Sequence, residues 1–600
     1  MLTTAALVAA VVAYVAVTRP PASINLNAPL PATVVLGAYH IHTDRSDGAG
    51  TPDDVATAAA AAGIRFAIMT DHGDGTRLPD APRYVSGVLL IDAAEISTND
   101  GHVVALGLGA ATPYPMAGEG RDVIEDIHRL GGLAIVAHPD SPRAELRWRT
   151  PGGAPGGGRF GGAGPGSVGD LSGADGIEWL NADSEWRRHD WPRLLHTALR
   201  MSWRPAESFA ELIERPAPTL RRWDGAMRRR QIVGLSGVDA HGFFGGFYTA
   251  SFKSFAQAVI LPAPLTGDAR SDAESVVAAL RQGHAFSVIT GIASASVAQL
   301  TASDTVSRAQ MGERLEAGAG PVRIEAATPG ASGARVVIIR DDREVASGMG
   351  HAAVASAAPG AYRMEAWLGN AHTPWIVTNP VYVAPPPDTG PSAPTPARQP
   401  QPGSTRDAEM VPLELPLLPG PQWSVEHGPS STGVIDAGDD RVSFRYQIGT
   451  VQPGLEYAAL ARSMGDGAES FDRVEFLASA DAPMRVSVQF RLPGAKDGER
   501  WARSIYVDQT PRPITVRMSD VVPVGFSATR RPVVARVKSI LFVMDTVNAK
   551  PGTAGVLRLS AIRLARSASG DRSGSNGQQQ VGRPGQEQDV RRPGRNGGRQ

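Results

Sequence analysis

Two short motifs place pairs of potential metal ligands one residue apart. His40 and His42 follow the apolar segment TVVLGAY, and Asp239 and His241 follow the segment IVGLSG. Residues i and i+2 of a strand face the same side, so each pair can direct two ligand atoms at one ion. The chain has no cysteine, so any metal site must use histidine and carboxylate ligands.

Five more candidate ligands share a position next to an apolar strand or in the turn that follows one. They are Asp47, His72, Glu95, His102 and His138. Most of them follow a strand, although His102 begins one, and the carboxyl ends of parallel strands form the rim where α/β barrels hold their active sites. A single histidine there is more often structural. So many ionisable groups on one rim would repel and desolvate each other unless metal ions neutralised them, so we predict a metal centre.

The segments that must position these ligands alternate between strand and helix patterns over residues 35–290. Thr51 and Pro52 begin an alanine-rich helix that ends at Gly63, and the strand RFAIMT follows. Later helix and strand segments alternate in the same way. This pattern predicts an α/β unit with a largely parallel sheet covered by helices.

The rest of the chain divides by composition, since 600 residues exceed what one hydrophobic core supports. We predict a hydrophobic segment at 1–22, the α/β unit at 35–290 with a glycine-rich loop at 149–170, a small β-sandwich at 295–383, a proline-rich linker at 384–410, a jelly-roll-like β-sandwich at 411–566 and a solvated tail at 567–600. The formal net charge of −1 gives no sign of a nucleic-acid partner.

The N-terminal segment is the one membrane signal in the sequence. Residues 2–17 are almost all apolar, a length short for a membrane span and close to the core of an export signal. We predict an exported protein, membrane-anchored or secreted, and thus periplasmic or extracellular. Two alternatives stay open: Arg19 after the segment favours a cytoplasmic body by the positive-inside rule, and the segment can be a buried helix of the fold.

Six motifs around these residues resemble those of the polymerase and histidinol phosphatase (PHP) superfamily of metallohydrolases. They are HIHTDRSDG at 40–48, TDHGD at 70–74, AEIST at 94–98, GHVVALGL at 101–108, AHPD at 137–140 and VDAHG at 238–242. Segments at 274–288 and 364–383 are similar to the branch that includes a bacterial carbaryl hydrolase with a small C-terminal sandwich. The resemblance implies a distorted (β/α)7 barrel, followed here by two all-β sandwich domains.

The resemblance also implies how the ligands divide among two or three divalent ions. His40, His42 and Asp239 would hold the first ion, with Glu95 bridging it to the second. The second site would be completed by His102 and His138, and a third would use Asp47, His72 and His241. Such nitrogen and oxygen ligands suit zinc, manganese or iron.

The expected chemistry is hydrolysis by a metal-activated water, with no serine or cysteine nucleophile. We predict supporting or catalytic roles for Asp71 and Glu178. We expect Asp71 to orient His72 or a neighbour. For Glu178, a purely structural role as a buried carboxylate is an equally good interpretation. Arg45 and Arg143 are candidates for binding an anionic substrate, although exposed arginines are usually only solvated. The glycine-rich loop is either a lid or an insertion without a role.

Three functional hypotheses follow. A phosphoesterase is the leading one, and a carboxyl or carbamate ester hydrolase using the same site is the second. The third is a cell-surface carbohydrate-binding protein with a structural metal cluster, in which aromatic residues of the last sandwich stack on sugars. These residues are Trp423, Tyr446, Tyr457, Trp501 and Tyr506. The remaining histidines are predicted to be structural or exposed.

Overall fold

A computed structural model of the chain describes residues 2–566 except 149–170, 172, 202, 243–246, 317–319, 370, 385–412, 419–421, 453, 465–470, 494–497, 526, 528 and 530. The predicted glycine-rich loop, almost all of the proline-rich linker and the predicted tail therefore lie outside the described residues. The described part is a mixed α/β unit followed by strand-rich regions that form sandwich-like sheets.

The α/β unit alternates short strands with helices, as its sequence pattern predicts. Its strands are Val34–Ile41, Phe66–Met69, His72–Gly73, Arg83–Val85, Val88–Asp92, Ala94–Thr98, Gly101–Leu106, Leu133–Val136, Gly176–Asn181, Val233–Gly237, Ala256–Ile260 and Ala285–Val288. Its helices are Pro52–Ala61, Gly120–Arg129, Ala182–Arg188, Trp191–Met201, Pro205–Ala210, Ala217–Met227, Phe247–Ser254 and Ala269–Gln282.

Local sequence signals explain where these helices begin and end. Thr51 and Asp54 form a capping box at the start of Pro52–Ala61, each side chain accepting a hydrogen bond from the backbone of the other. Ala269–Gln282 is capped by Asp268 and ends at Gly283, whose positive φ of 73° suits glycine. The capping pattern therefore predicts helix boundaries well in this unit.

Two sheets form the walls of the α/β unit. In one, Val34–Ile41 pairs in parallel with Phe66–Met69, which pairs in parallel with Val88–Asp92. In the other, Gly176–Asn181 pairs in parallel with both Leu133–Val136 and Val233–Gly237. A parallel bridge between Ile41 and Ala240 joins the sheets at one edge. The largely parallel arrangement predicted from the sequence thus holds for these pairs.

Antiparallel pairs interrupt this arrangement at three places, and the first is the pair of Arg83–Val85 with Val88–Asp92. Gly101–Leu106 runs antiparallel to both Ala94–Thr98 and Leu133–Val136. Ala256–Ile260 runs antiparallel to Val34–Ile41 and to Ala285–Val288. The direction of Gly101–Leu106 matters for the site, because it brings the start of this strand to the rim where its neighbour Leu133–Val136 ends.

Residues 295–383 share a sheet with the α/β unit. Ile376–Thr378 pairs with Ala285–Val288 and with Gly360–Trp367, so the sheet continues across the predicted boundary. The strands of this region are Gln299–Ser303, Arg308–Gln310, Arg314–Leu315, Arg323–Ala327, Arg335–Arg340, Arg343–Met349, His351–Val354, Gly360–Trp367, Ile376–Thr378 and Val381–Val383. The second, four-stranded sheet consists of Arg308–Gln310, Gln299–Ser303, Arg323–Ala327 and His351–Val354, and residues of both sheets share one apolar core.

The last described region is a β-sandwich of two six-stranded sheets over a single core. One sheet contains Leu413–Pro416, Thr432–Ala437, Arg441–Gln447, Arg473–Ala480, Arg512–Arg517 and Ala554–Arg566. The other contains Trp423–His427, Tyr457–Ser463, Met484–Leu492, Glu499–Val507, Val522–Pro523 and Ser539–Asp545. A short 3-10 helix, Val534–Arg536, lies between two strands.

The N-terminal apolar segment forms the helix Leu2–Thr18. It contacts the α/β unit through Val15, which is buried, and through Tyr14, whose hydroxyl lies 2.5 Å from His196 Nδ1. Within the described residues, no helix has the combination of length and apolar character needed to cross a membrane.

Candidate metal centre

The nine predicted metal ligands converge at one rim of the α/β unit. The side chains of His40 and His42 are buried, and their Nε2 atoms lie 3.2 Å apart at the end of the strand Val34–Ile41. Both Nε2 atoms approach Glu95 Oε2 at 3.3 Å. They also approach Asp239 Oδ1, at 3.5 Å from His40 and 3.3 Å from His42. Residues far apart in sequence thus direct their polar atoms at one small volume.

Glu95 is the centre of this cluster. Its Oε1 atom lies 2.7 Å from His102 Nδ1 and 2.8 Å from His138 Nε2. Its Oε2 atom lies 3.3 Å from His72 Nδ1, in addition to the two contacts above. A buried carboxylate with imidazoles around both oxygens has the geometry of a bridging ligand.

A second carboxylate, Asp47, contacts the histidines in the outer part of the cluster. Its Oδ2 atom lies 3.4 Å from His241 Nε2 and 3.6 Å from His72 Nε2, and its Oδ1 atom lies 3.3 Å from His42 Nδ1. The Asp47 side chain is half exposed, whereas Glu95 is buried. The cluster therefore extends from the interior to an edge that solvent and ligands can reach.

His102 was the exception in the sequence, because it begins a strand. The structure places it at the same rim, since Gly101–Leu106 runs antiparallel to Leu133–Val136, which ends next to His138. The backbone N–H of Ala137 donates to the carbonyl of His102. The start of one strand and the end of its neighbour thus present His102 and His138 to the same carboxylate.

Three of the ligands have backbone angles that side chains rarely adopt. His40, His138 and Asp239 have φ values of 70°, 27° and 45°. Positive φ at residues other than glycine costs about 1–3 kcal/mol and persists where a site needs it. Each of these residues lies just beyond or at the end of a strand, so the turn in the backbone redirects the side chain toward the cluster.

The donor set fits metal ions. Among the described residues, five groups of three ligand atoms each lie within 4.8 Å of one another. They are His40, His42 and Glu95; His40, His138 and Asp239; His42, Asp239 and His241; His42, Asp47 and His72; and His72, Glu95 and His102. His138 Nδ1 is buried and has no hydrogen-bond partner in the described part of the chain. The side chains could therefore hold several metal ions, as the sequence predicts.

The charges within the cluster perturb each other strongly. Burial alone would lower the pKa of His42, but the carboxylates of Asp239 and Glu95 outweigh it and raise that pKa to about 9. Burial would raise the pKa of Glu95, but His40, His102 and His138 outweigh it and hold that pKa well below its usual range. Protons thus compensate the carboxylates here, and a cation could replace them.

Glu178 supports the cluster from behind. Its Oε1 lies 2.5 Å from His40 Nδ1, and its Oε2 accepts hydrogen bonds from the backbone N–H of His138 and from Asn181 Nδ2. A side chain on Gly237 would collide with Glu178, because its Cβ would lie 2.5 Å from Oε1. Glu178 therefore fixes the imidazole of His40 so that Nε2 faces the other ligands.

Asp71 supports a loop and not the histidine that follows it. Its Oδ1 accepts hydrogen bonds from the Thr43 N–H and the Ser46 hydroxyl, and its Oδ2 accepts one from the Thr43 hydroxyl. We expected Asp71 to orient His72 or a neighbour, and these contacts run to Thr43 and Ser46, beside His42 and Asp47, and not to His72, because adjacent residues of an extended chain point in opposite directions. Asp71 instead holds the turn that carries Asp47.

The two predicted substrate-binding arginines do not form an anion site together. Arg45 makes ion pairs with Asp80 and, at 3.5 Å, with Asp92. Arg143 is exposed, and its backbone N–H donates to Ser141 Oγ. The charge of Arg45 is therefore already compensated by neighbouring carboxylates.

The histidines without a predicted site role have other surroundings. His128 lies 2.7 Å from Asp175 Oδ2, His189 donates to the carbonyl of Leu212, His427 lies next to the Gly428 carbonyl, and His372 is exposed. His284 and His351 lie 3.5 and 3.8 Å from Glu313 and Glu325, and His196 contacts Tyr14. None of them joins the groups of candidate ligands found among the described residues.

An apolar pocket that no sequence pattern predicts adjoins the cluster. Its lining includes Trp186, Phe209 and Phe247, and it reaches Asp239 and His241. The three aromatic residues come from three separate helices, so no short motif contains them. Only the fold brings these side chains to the edge of the metal centre.

The aromatic residues of the last β-sandwich lie in three environments. Trp501 and Tyr446 are buried in its core. Trp423 is half-buried and packs near Phe542, and the half-buried Tyr457 packs on the sheet surface. The ring of Tyr506 is covered by the guanidinium of Arg129 from the α/β unit, 3.5 Å from the ring centre. Stacking of these residues on sugars stays a prediction.

Comparisons with known proteins give one sequence relative and partial structural likenesses. No family model matches the chain. The uncharacterized protein MJ1587 of Methanocaldococcus jannaschii is 31% identical over 117 residues, which cover 17% of this chain and 67% of that protein.

Among solved structures, a family 11 carbohydrate-binding module of a cellulosomal cellulase from Clostridium thermocellum is 19% identical, covers 25% of this chain and 93% of that chain, and has a TM-score of 0.21. A family 29 carbohydrate-binding module from Piromyces equi is 10% identical, covers 27% of this chain and 95% of that chain, and has a TM-score of 0.18. At these scores the likeness carries no inference about function.

Proposed function

Because the chain belongs to the same family as MJ1587, a protein described only as uncharacterized, we propose its function from the site itself: a metal-dependent hydrolase, with phosphoesters as the leading substrates. The observation that carries the proposal is the convergence of nine histidine and carboxylate side chains at one rim, with three of them in strained backbone conformations. We also propose that the two walls of the α/β unit form a distorted (β/α)7 barrel of the PHP type.

The number of ligand groups favours a catalytic centre over a structural one. A structural metal site closes with four ligands around one ion, whereas this cluster offers five overlapping groups and an open edge at Asp47. When bound, divalent ions lower the pKa of a coordinated water and stabilise negative charge in the transition state of hydrolysis. Zinc, manganese and iron all suit these donors.

The side chains of this chain have distinct parts in such a centre. Glu95 would bridge neighbouring ions, since imidazoles approach both of its oxygens. Glu178 holds Nδ1 of His40 and leaves Nε2 for a metal. Asp71 keeps the turn of Thr43 and Ser46 in place, so that Asp47 stays near His72 and His241.

A carboxyl or carbamate ester hydrolase is the second candidate, and one observation favours it. Aromatic side chains line the pocket beside the cluster, and Arg187, the one arginine among its described lining residues, already donates to Asp183. A phosphoester brings more negative charge than a neutral ester and would gain nothing from such walls. Activity measurements with both kinds of ester therefore show which bond the protein hydrolyses.

The test combines metal analysis and turnover on the full-length protein. We expect two or more transition-metal ions per chain and hydrolysis of p-nitrophenyl phosphate, with p-nitrophenyl acetate measured in parallel. The double variant His40→Ala/His42→Ala should lose both metal and turnover, whereas His372→Ala, a change at an exposed histidine outside the cluster, should keep both.

The opposite results are equally informative. A protein that keeps no transition metal after purification without chelators, and gains none on dialysis against Zn²⁺ or Mn²⁺, contradicts the proposal. Bound metal without turnover of either ester, together with binding of a β-glucan by the intact chain, would favour the carbohydrate-binding protein.

We further propose that the protein is exported, from the apolar N-terminal segment. Fractionation of cells that express the full chain tests this: we expect the protein in the periplasm, the membrane or the medium. Recovery only with cytosolic marker proteins would contradict it.

A further inference from the structure

The apolar pocket next to the metal centre has a form that selects substrates. Its volume is about 290 Å³, at the small end of ligand pockets, enough for a group of one or two rings. Asp239 and His241 lie in its wall, so a group seated in it is adjacent to the predicted metal ligands. The pocket and the cluster thus form one continuous site.

Aromatic side chains give this pocket flat walls. Trp186 stacks on Phe209 with an angle of 9° between the rings, and Phe247 meets Trp186 edge-on at 84°. Phe209 is buried in the main core, whereas Trp186 and Phe247 are half-buried at the pocket. Planar apolar groups bind well against such surfaces, because they bury area and match the ring faces.

The polar groups of the pocket compensate each other. Arg187 Nε donates to Asp183 Oδ2 at 2.5 Å, so the one cation and the one carboxylate apart from Asp239 form a pair. Among the described lining residues, the carboxylate left over is Asp239, a predicted metal ligand, so the part of the wall away from the cluster offers no net charge to a substrate. A neutral, apolar substituent is the group that this pocket accommodates at the least desolvation cost.

A second pocket on the other side of His72 has the opposite character. It is lined by the carboxylates of Asp71, Asp74, Asp80 and Asp92 and by two arginines, both of which are ion-paired with these acids. Such a lining repels an anionic group and does not favour an apolar one. The apolar pocket is thus the better place for the part of the substrate that does not react.

We infer that the enzyme hydrolyses esters whose non-reacting substituent is apolar and aromatic, with this substituent held between Trp186, Phe209 and Phe247. The inference rests on the proposed function, because it takes the reacting group to lie at the cluster of His and carboxylate ligands. It adds the substrate class that the metal centre alone does not define.

Binding of two phosphonates tests this without the effect of leaving-group chemistry. Phenylphosphonate and methylphosphonate carry the same metal-binding group, are not hydrolysed, and differ only in the substituent. On the metal-loaded full chain, calorimetry should give roughly 10- to 100-fold tighter binding of phenylphosphonate, the range expected for burying one aromatic group. Equal affinities would overturn the inference.

A matched pair of tryptophan variants locates the effect. Trp186→Leu should reduce the preference for phenylphosphonate by roughly 10-fold and leave methylphosphonate binding unchanged. Trp191→Leu is the control, because Trp191 is exposed and outside the pocket. An unchanged preference in a folded Trp186→Leu protein, checked by its circular dichroism and thermal melt, would contradict the assignment.

The failures of the two proposals are distinguishable. If the protein binds metal and turns over esters but does not distinguish the phosphonates, the proposed hydrolase function is supported and the inference about the aromatic pocket is contradicted. If it holds no metal and turns over no ester, the proposed function itself is contradicted, and the inference that rests on it is contradicted as well.

Discussion

Two regions of this molecule bury several charged side chains, and they do so in different ways. Where the last β-sandwich meets the α/β unit, the buried Arg485 donates to both oxygens of Asp126 at 2.7 and 2.9 Å and to the carbonyl of Asp122. At the candidate metal centre, no arginine or lysine in the described part of the chain pairs with Glu95, Asp239 or Asp47; the side chains that form ion pairs with them are histidines.

The difference indicates which cluster is built for a ligand. An arginine keeps its proton at every physiological pH, so the cluster at Arg485 is complete by itself. Imidazoles become neutral and offer a lone pair once a metal ion arrives, so the cluster at Glu95 can exchange protons for cations. A buried cluster of acids and histidines without permanent cations is thus the stronger sign of a metal centre.

The largest expected effect comes from removing the central carboxylate of the histidine cluster. Glu95→Gln keeps the shape but removes the charge that five imidazoles approach, so metal content and turnover should fall together. We expect the loss of turnover to exceed the ~10- to 100-fold cost of losing a supporting group. Elemental analysis and p-nitrophenyl phosphate hydrolysis measure it.

The control for this change is another glutamate beside a histidine. Glu325 lies 3.8 Å from His351 in an exposed pair on the four-stranded sheet. Glu325→Gln should leave metal content and turnover as they are. If Glu95→Gln behaves like Glu325→Gln, the central role of Glu95 in metal binding is wrong.

The arginine cluster should respond in stability and not in metal content. Arg485→Met keeps much of the side-chain volume but removes the nearest cation of the buried Asp126 and leaves Arg129 at 3.9 Å, which we expect to cost about 3–5 kcal/mol. Arg512→Met, at the more exposed pair with Asp508, should cost no more than about 1 kcal/mol. Urea unfolding measures the change in the free energy of unfolding for both variants. Equally small changes would show that the buried cluster contributes little to stability.

Much of the candidate metal centre could be predicted from the sequence, because local rules govern it. Each ligand lies next to a strand or in the turn that follows one, and strand ends gather at a rim, so His40, Glu95 and Asp239 could be grouped before the fold was known. His102 begins its strand instead of following one, and it still reaches the rim because that strand runs antiparallel to its neighbour. The direction in which two strands pair cannot be predicted from a local sequence pattern. Asp71 was expected to orient His72 or a neighbour, and the partners that the structure gives it, Thr43 and Ser46, lie 25–28 residues away in the sequence.

The pocket and the domain contact could not be predicted for a related reason. The pocket is lined by aromatic residues of the types that ordinarily fill a core, Trp186, Phe209 and Phe247. Only tertiary packing leaves a space among them. Arg485 and Asp126 are 359 residues apart, and no pattern in either segment indicates the other. Contacts between distant surfaces depend on how whole units dock, which single-sequence patterns do not encode.

Removing the metal should make stability depend on pH in a direction that the histidine cluster sets. The folded-state pKa of His42 is about 9, above the 6.5 of the free side chain, although burial opposes the rise. The stabilising contribution of its proton is therefore complete below about pH 6.5 and is lost as the pH rises to about 9. We expect a loss on the order of 3 kcal/mol in the metal-free protein.

Denaturant unfolding of chelator-treated protein at pH 6.5 and at pH 9 measures this change. Metal-loaded protein should show much less of it, because a metal ion takes the place of the proton. The His42→Gln variant is the control, since it removes the share of the change that comes from His42 and leaves that of His40 and His138. Burial would lower the pKa values of these two histidines as well, but the neighbouring carboxylates outweigh it and raise them. A metal-free protein that becomes more stable between these pH values would contradict the picture of protons compensating Glu95 and Asp239.

The smallest effect we expect comes from the carboxylate behind the histidines. Glu178→Gln keeps an acceptor for His40 Nδ1 but removes the negative charge that raises the basicity of the imidazole. Metal affinity or turnover should fall by about 10- to 100-fold, less than for Glu95→Gln, because Glu178 acts through His40. Titration of the metal-free variant with Zn²⁺ measures the affinity.

The matched change for this comparison is Asn181→Ala, which removes a hydrogen bond to Glu178 Oε2, together with the helix-capping bond from the Ser184 N–H, and leaves the contact of Glu178 with His40. It should weaken Zn²⁺ binding less than Glu178→Gln does. If the two variants bind Zn²⁺ equally, the charge of Glu178 has no part in tuning His40, and the carboxylate serves only to hold the backbone at His138.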